Sequence, residues 1–272
     1  MQLTPSRVRQ QGVTLVELLI GMAVGLIVIG GAIAMYVSSV HSSSETLKSS
    51  KLNQEISTLL HVIVDDVRRA GYWGTPDMDE LSKNPFSQQG ATALLVRDDM
   101  VNDAAQPATG QGSCLVYAYD ATYLAGNVPG VIESTDLFGF RLNGSVVQMR
   151  RTGVVDGVDC IGGTCTSCTN GVWENVTDPD LIEITQLTFD LGNSKCLSGA
   201  EPNTLDDDGD GTVDDSDEYD CYLTVPANGS GVATKETREL LVTVSGRLAT
   251  DPSTQATVSQ SVTVRNDLLR IR

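Results

Sequence analysis

The run GVTLVELLIGMAVGLIVIGGAIAMYVSSV, from Gly12 to Val40, decides how this chain is built. Its last 23 residues, Leu18 to Val40, carry no charged side chain, while Glu17 stands at their leading edge and Arg7 and Arg9 lie just ahead of Gly12. At about 1.5 Å per residue a helix of that length reaches roughly 35 Å, enough to cross a hydrocarbon core of about 30 Å. A secretory signal peptide also opens on basic residues, but its apolar region is only about 7–15 residues long and ends in small residues at a cleavage site. This run is longer and is interrupted at its front by an acid. A plain signal anchor explains the length but gives no reason for Glu17, because a carboxylate at membrane depth is costly unless it is paired.

The helical pattern continues past the apolar run. A serine-rich stretch, SSVHSSSETLKSS (Ser38–Ser50), marks a change of solvent, after which Leu52, Ile56, Leu59, Leu60, Ile63 and Val67 recur at spacings of three and four. Asp65, Asp66, Arg68 and Arg69 are expected mostly on the opposite face, and Gly71, Gly74 and Pro76 to end the helix. One helix from about Val13 to Arg69 is the expectation, with its first half in a bilayer and its second half packed on a domain. A free coiled-coil stalk fits less well, since only about two heptads are apolar.

Downstream the chain changes character to short β-like runs separated by turns: Ala93–Val96, Cys114–Tyr119, Leu137–Leu142, Val146–Arg151, Leu181–Leu191, Glu239–Leu248 and Thr257–Arg265. Asn143 and Gly144 between two of these runs signal a hairpin. A long helix followed by strands makes the class α+β: a helix with a transmembrane half and an amphipathic half, packed on an antiparallel sheet domain with disulfide-bonded loops. The chain has 272 residues and a net charge of −17, which argues against direct nucleic-acid binding. The six cysteines (Cys114, Cys160, Cys165, Cys168, Cys196, Cys221) all follow the apolar run, as expected for disulfides on the far side of a membrane. Within CIGGTCTSC (Cys160–Cys168), local disulfides are expected, because no second pair of ligands follows at a spacing that suits zinc.

The most specific distal motif is DDDGDGTVDDSD, Asp206–Asp217. Calcium takes six to eight oxygens, and a twelve-residue loop supplies them from positions 1, 3, 5, 7, 9 and 12 with glycine at 6. With Gly211 at position 6, the ligands become Asp206, Asp208, Asp210, the Thr212 carbonyl, Asp214 and Asp217, while Val213 turns back toward the domain. Aspartate at the last position resembles the calcium loops of dockerins and thrombospondin type 3 repeats rather than an EF-hand. Cys196 and Cys221 bracket the loop, and a disulfide between them would clamp it.

Two stretches carry a family resemblance. GVTLVELL, Gly12–Leu19, resembles the type IV pilin signal: a short basic leader, glycine, then an apolar run with glutamate at the fifth position. Where that family has phenylalanine after the glycine, this chain has Val13. DDVRRAGYWG, Asp65–Gly74, resembles the helix exit of PilW-type minor pilins. The resemblance implies cleavage between Gly12 and Val13 by prepilin peptidase, methylation of the new amine, and pairing of Glu17 with the amine of a neighbouring subunit.

It further implies a leader at 1–12, a transmembrane and filament-core helix at 13–40, its amphipathic continuation at 41–75, and a β-rich periplasmic globular domain at 76–272. The implied function is that of a non-enzymatic minor pilin, held in the inner membrane by a single pass and then carried into a surface pilus near its tip. The implied partners are other minor pilins, the major pilin, the inner-membrane assembly platform and a tip adhesin. A pseudopilin of type II secretion and a membrane-tethered calcium-dependent adhesin are the alternatives. No Ser-His-Asp or Cys-His set and no phosphate-cradling loop is present to suggest an enzyme.

Overall fold

A computed structural model describes residues 12–74, 84–87, 94–121, 132–155, 158–159 and 164–272. Arg7 and Arg9 of the leader, Pro76, Ala93 and Cys160 lie outside the described residues. Helix α1 runs from Leu15 to Val67. The strands that follow are β1 (Leu95–Arg97), β2 (Gln111–Gly112), β3 (Cys114–Ala118), β4 (Leu137–Asn143), β5 (Val146–Thr152), β6 (Val154–Val155), β7 (Val158–Asp159), β8 (Val172–Asn175), β9 (Ile182–Asp190), β10 (Lys195–Ser198), β11 (Ala233–Thr237), β12 (Glu239–Leu248), β13 (Asp251–Thr263) and β14 (Leu268–Ile271). A one-turn helix, α2 (Ser216–Tyr219), interrupts them after β10. Contacts divide the chain at Lys48/Ser49, so the C-terminal part of α1, from Ser49 to Val67, belongs to the β-rich unit.

Within that unit, strand pairing is antiparallel throughout the described residues. The larger sheets have the orders β1-β3-β4-β5-β8 and β13-β12-β9-β2, a three-stranded sheet runs β10-β11-β14, and β6 pairs with β7. Leu52, Ile56, Leu59, Leu60, Ile63, Val64 and Val67 on α1 are buried with Leu115, Phe138 and Phe140 of the first sheet and Ile184, Phe189, Leu240, Val242, Val244 and Val262 of the second. Strand β12 alternates buried and half-buried positions along its whole length, as a strand with one face on a core must. Gly246 lets β12 lie close to β9, because a Cβ there would meet Glu183 O at 3.1 Å and Ile184 Cδ1 at 3.2 Å. Each fully buried Leu, Ile or Phe side chain stabilises such a core by about 1.5–3 kcal/mol.

The helix exit departs from the sequence pattern in one informative way. Asp65 and Arg69 are exposed as expected and Arg68 is half-buried, but Asp66 is buried at 7% exposure. Its carboxylate accepts from the Tyr119 hydroxyl at 2.9 Å, from the Tyr117 hydroxyl and from Arg69 one turn on. An isolated carboxylate would not tolerate this position; three donors make it a joint between helix and sheet. The Arg69 guanidinium also lies 4.6 Å over the Tyr119 ring, which stacks on Phe138 at 4.1 Å. Burial pushes the Tyr117 phenol well above its ordinary value, and Asp66 adds to the shift.

Gly71 then adopts φ +72°, a left-handed helix stop that glycine takes without steric cost. Its N–H donates to Ala118 O at 2.8 Å, while Asp120 N–H donates to Tyr72 O at 3.0 Å. DDVRRAGYWG is therefore the segment that ends α1 and stitches it to the end of β3.

Other differences are local. The β4–β5 hairpin turns at Gly144 and Ser145, with Asn143 paired to Val146, one residue later than the Asn-Gly signal suggested; Gly144 supplies the positive φ. Strand β13 starts at Asp251, six residues earlier than alternation alone marked. On the first sheet, Arg150 is fully buried and donates to Cys165 O and Phe138 O, both at 2.8 Å; burial pulls its pKa down to about 10.

Asp66→Ala leaves two buried tyrosine hydroxyls without their acceptor and is expected to lower unfolding stability by about 2–4 kcal/mol. Denaturant unfolding of the full chain in detergent measures it, beside Asp65→Ala on the exposed face, which should stay within about 0.5 kcal/mol.

Candidate functional site

The first candidate lies at the start of α1. Thr14 is its N-cap and Glu17 the third helical residue. Glu17 N–H donates to Thr14 Oγ1 at 3.3 Å, and Thr14 N–H and Oγ1 both donate to Glu17 Oε2 at 3.4 Å. This is a reciprocal capping box, which satisfies donors that a helix start otherwise leaves open, with an acid where the helix dipole favours one. The T-x-x-E signal was present in the sequence beside the apolar run. Among the described residues Glu17 Oε1 has no donor. Gly12 and Val13 are exposed, and no described atom lies within 4 Å of where a side chain on Gly12 would start.

The helix that Glu17 opens has a window of mean hydropathy 2.5, none of it buried within the chain. Its large apolar side chains are open, among them Leu15 at 76%, Leu26 at 71%, Ile27 at 74% and Met35 at 78%. Apolar surface of that extent calls for lipid or other apolar helices as its surroundings.

The second candidate is the acidic loop. Asp206, Asp208 and Asp210 each bring a carboxylate oxygen within 4.8 Å of the others. Their spacing is set by the loop's own turns: Asp206 accepts from Gly209 N–H at 2.7 Å and Gly211 N–H at 2.9 Å, Asp208 from Asp210 N–H at 3.0 Å, and Asp210 from Thr212 N–H at 2.7 Å. Gly209 and Gly211 both take positive φ. The Asp210 N–H lowers the pKa of Asp208, but desolvation and the charges of Asp210, Asp215 and Asp206 outweigh it and leave the carboxyl above its ordinary value. These clustered hard oxygens fit a hard cation, which would reverse that repulsion.

The other expected ligands stand elsewhere. Asp214 accepts from Asn203 N–H at 2.8 Å and Thr204 N–H at 3.1 Å, and its oxygens cluster with those of Glu201 and Glu218. Asp217 sits exposed on α2, and Val213 is 51% exposed rather than turned inward. The side chain that closes the loop is Glu218, which the calcium register passed over. It is fully buried and accepts from Asp207 N–H and from Asp215 N–H, the latter at 3.2 Å. With Asp215 as N-cap it forms a second capping box, legible as D-x-x-E.

Cys196 and Cys221 are joined across the base of the loop. Cys168 pairs with Cys114, 54 residues away, which corrects the expectation of purely local bridges in CIGGTCTSC. Asp103 explains the placement: it accepts from Cys168 N–H at 3.0 Å and from Arg97 at 2.6 Å, holding the cysteine beside β3. Cys165 is also disulfide-bonded.

Comparison with known proteins adds family information. The family described as "Prepilin peptidase-dependent protein B" matches residues 45–264, and the "Prokaryotic N-terminal methylation motif" matches residues 7–33. Prepilin peptidase-dependent protein B of Escherichia coli (strain K12) is 25% identical over 182 residues, covering 65% of this chain and 75% of that protein. No solved structure matches significantly.

Glu218→Gln removes a buried charged acceptor of two backbone N–H groups and is expected to destabilise the lobe by about 1–3 kcal/mol. Asp217→Asn, on the exposed face of α2, should change stability by less than about 0.5 kcal/mol. Amide hydrogen exchange at Asp207 and Asp215 reads the difference directly.

Proposed function

This chain belongs to the prepilin peptidase-dependent protein B family, and on that premise we propose that it is a minor pilin. Its proposed role is that of a structural subunit that primes a type IV pilus or is built into one near its tip. The observation that carries the reading is the N-terminal segment: a methylation motif over residues 7–33 that runs into an apolar helix left uncovered by the described residues.

In this reading prepilin peptidase cuts between Gly12 and Val13 and methylates the Val13 amine. The chain waits in the inner membrane as a single pass with its β-rich unit in the periplasm. The assembly platform then moves it among other minor pilins and the major pilin. Glu17 supplies the recognition. A carboxylate in hydrocarbon costs about 2.5–3.5 kcal/mol on insertion scales, and the amine of a neighbouring subunit offsets that cost. Oε1, which has no donor among the described residues, is the oxygen to meet it.

The acidic loop is proposed to take calcium. Asp206, Asp208 and Asp210 would provide the first oxygens, with the Thr212 carbonyl, Asp214 and Asp217 completing the shell after local rearrangement. The Cys196–Cys221 bridge limits how far the loop opens without the ion. A calcium-held lobe would then face a tip adhesin or other partners outside the membrane.

Replacement separates the two roles of Glu17. Glu17→Ala should reduce recovery of the chain in sheared surface filaments by about tenfold, the effect of about 1.4 kcal/mol. Thr14→Ala, which weakens the cap and keeps the acid, should assemble nearly as well as the native chain. Equal recovery of Glu17→Ala and native chain would sink the assembly reading. For the loop, calcium at about a hundred times its dissociation constant should add about 2.7 kcal/mol of stability to the full chain in detergent. Asp210→Asn should remove most of that gain, and a melting temperature indifferent to chelator would count against the site.

A further inference from the structure

The small sheet β10-β11-β14 carries a charge imbalance in its interior. Glu236 on β11 is 2% exposed and is met by three arginines: Arg238 Nη2 at 2.6 Å from Oε2, Arg270 Nη1 at 3.6 Å from Oε1, and Arg272 Nη2 at 4.0 Å from Oε1. The three arginine side chains are themselves only 12%, 16% and 18% exposed. One carboxylate against three guanidinium groups leaves a positive surplus in a chain whose net charge is −17.

Hydrogen bonding is as unbalanced as charge. Arg238 donates to Glu236 and, at 3.3 Å, to Ala108 O, while Tyr222 OH donates to the same Glu236 oxygen at 3.3 Å. The guanidinium groups of Arg270 and Arg272 donate to no described group, and Nε of all three arginines is buried without an acceptor. Buried donors without partners are rare in folded proteins, and unpaired buried cations rarer still. Burial lowers the Arg270 pKa; Glu236 opposes that, and Arg238 and Arg272 add to it.

Arg270 lies on β14 and Arg272 one residue past its end, and both forks approach the same Glu236 oxygen, Oε1. A guanidinium fork matches the two oxygens of a carboxylate or the oxygens of a phosphate, whereas a neutral sugar would leave the charge surplus and a metal cation would add to it. The negative field of the rest of the chain disfavours an extended polyanion and leaves room for an oxyanion presented singly.

We propose that Arg238, Arg270 and Arg272 form an oxyanion site that takes a carboxylate or phosphate group beside Glu236, between the guanidinium forks of Arg270 and Arg272. The group's oxygens supply the acceptors that Glu236 alone cannot provide to three arginines, and its charge offsets the local surplus.

The test is calorimetric titration of the full chain in detergent with inorganic phosphate, acetate and chloride at matched ionic strength. Saturable binding of phosphate or acetate with a raised melting temperature is expected, and the stronger of the two arms names the ligand class. Arg270→Gln and Arg272→Gln should each weaken that binding about tenfold, while Lys51→Gln, an exposed cation on α1, leaves it unchanged. The proposal is overturned if neither oxyanion binds more strongly than chloride, a result read on the native chain without any variant. It is equally overturned if binding survives in both folded arginine variants.

Discussion

The carboxylate of Asp66, accepting from Tyr117, Tyr119 and Arg69, fixes the second half of helix α1 to the sheets that follow it. Without that joint, α1 would meet the β-rich unit through apolar contacts and the few links at its exit, such as Arg265 N–H to Arg68 O and Asn266 to Ala70 O. With it, the last turn of the helix has one rotational setting. Gly71 can then hand its N–H to Ala118 and lead the chain into β3. A buried acid costs stability unless its donors are all in place, so the same group that fixes the geometry penalises alternatives to it.

The helix carries a second acid under the opposite conditions. Glu17 stands at the other end of α1, where the surrounding side chains are apolar and exposed. Among the described residues its only partner is Thr14, and one of its two oxygens has no donor. Asp66 is completed by its own fold; Glu17 is half completed and has capacity for a donor from outside. This contrast is the physical basis for treating one as architecture and the other as a contact between subunits. The capping box refines that view, because it gives Glu17 a local role within its own helix.

Periodicity made the long helix, the α+β class and most of the principal strands legible, because spacings of three and four or of two report directly which face is covered. Asp66 was misplaced because its charge suggested the solvent face, and its donors, Tyr117 and Tyr119, lie about fifty residues away in sequence. The link between Cys114 and Cys168 was hidden for the same reason: CIGGTCTSC offers nearby partners, while Asp103 brings Cys168 to β3 through space. In the acidic loop, ligand spacing was readable but side-chain direction was not. Asp214 and Glu218 serve backbone N–H groups of the surrounding turns, a competition that a position-by-position register cannot display. Strands β10, β11 and β14 are short and rich in charge, so neither alternation nor composition announced them.

What ties these parts together in the proposed function is an N-terminal segment suited to two successive surroundings, lipid and then neighbouring helices, with the proposed cleavage at Gly12 creating an amine for Glu17 to recognise. Mass spectrometry of surface filaments sheared from cells expressing the chain tests this most directly. The account predicts recovery of the chain in the filament fraction with Val13 as its first residue, carrying one added methyl group on its amine. Recovery only in the membrane fraction with residues 1–12 still attached would contradict it.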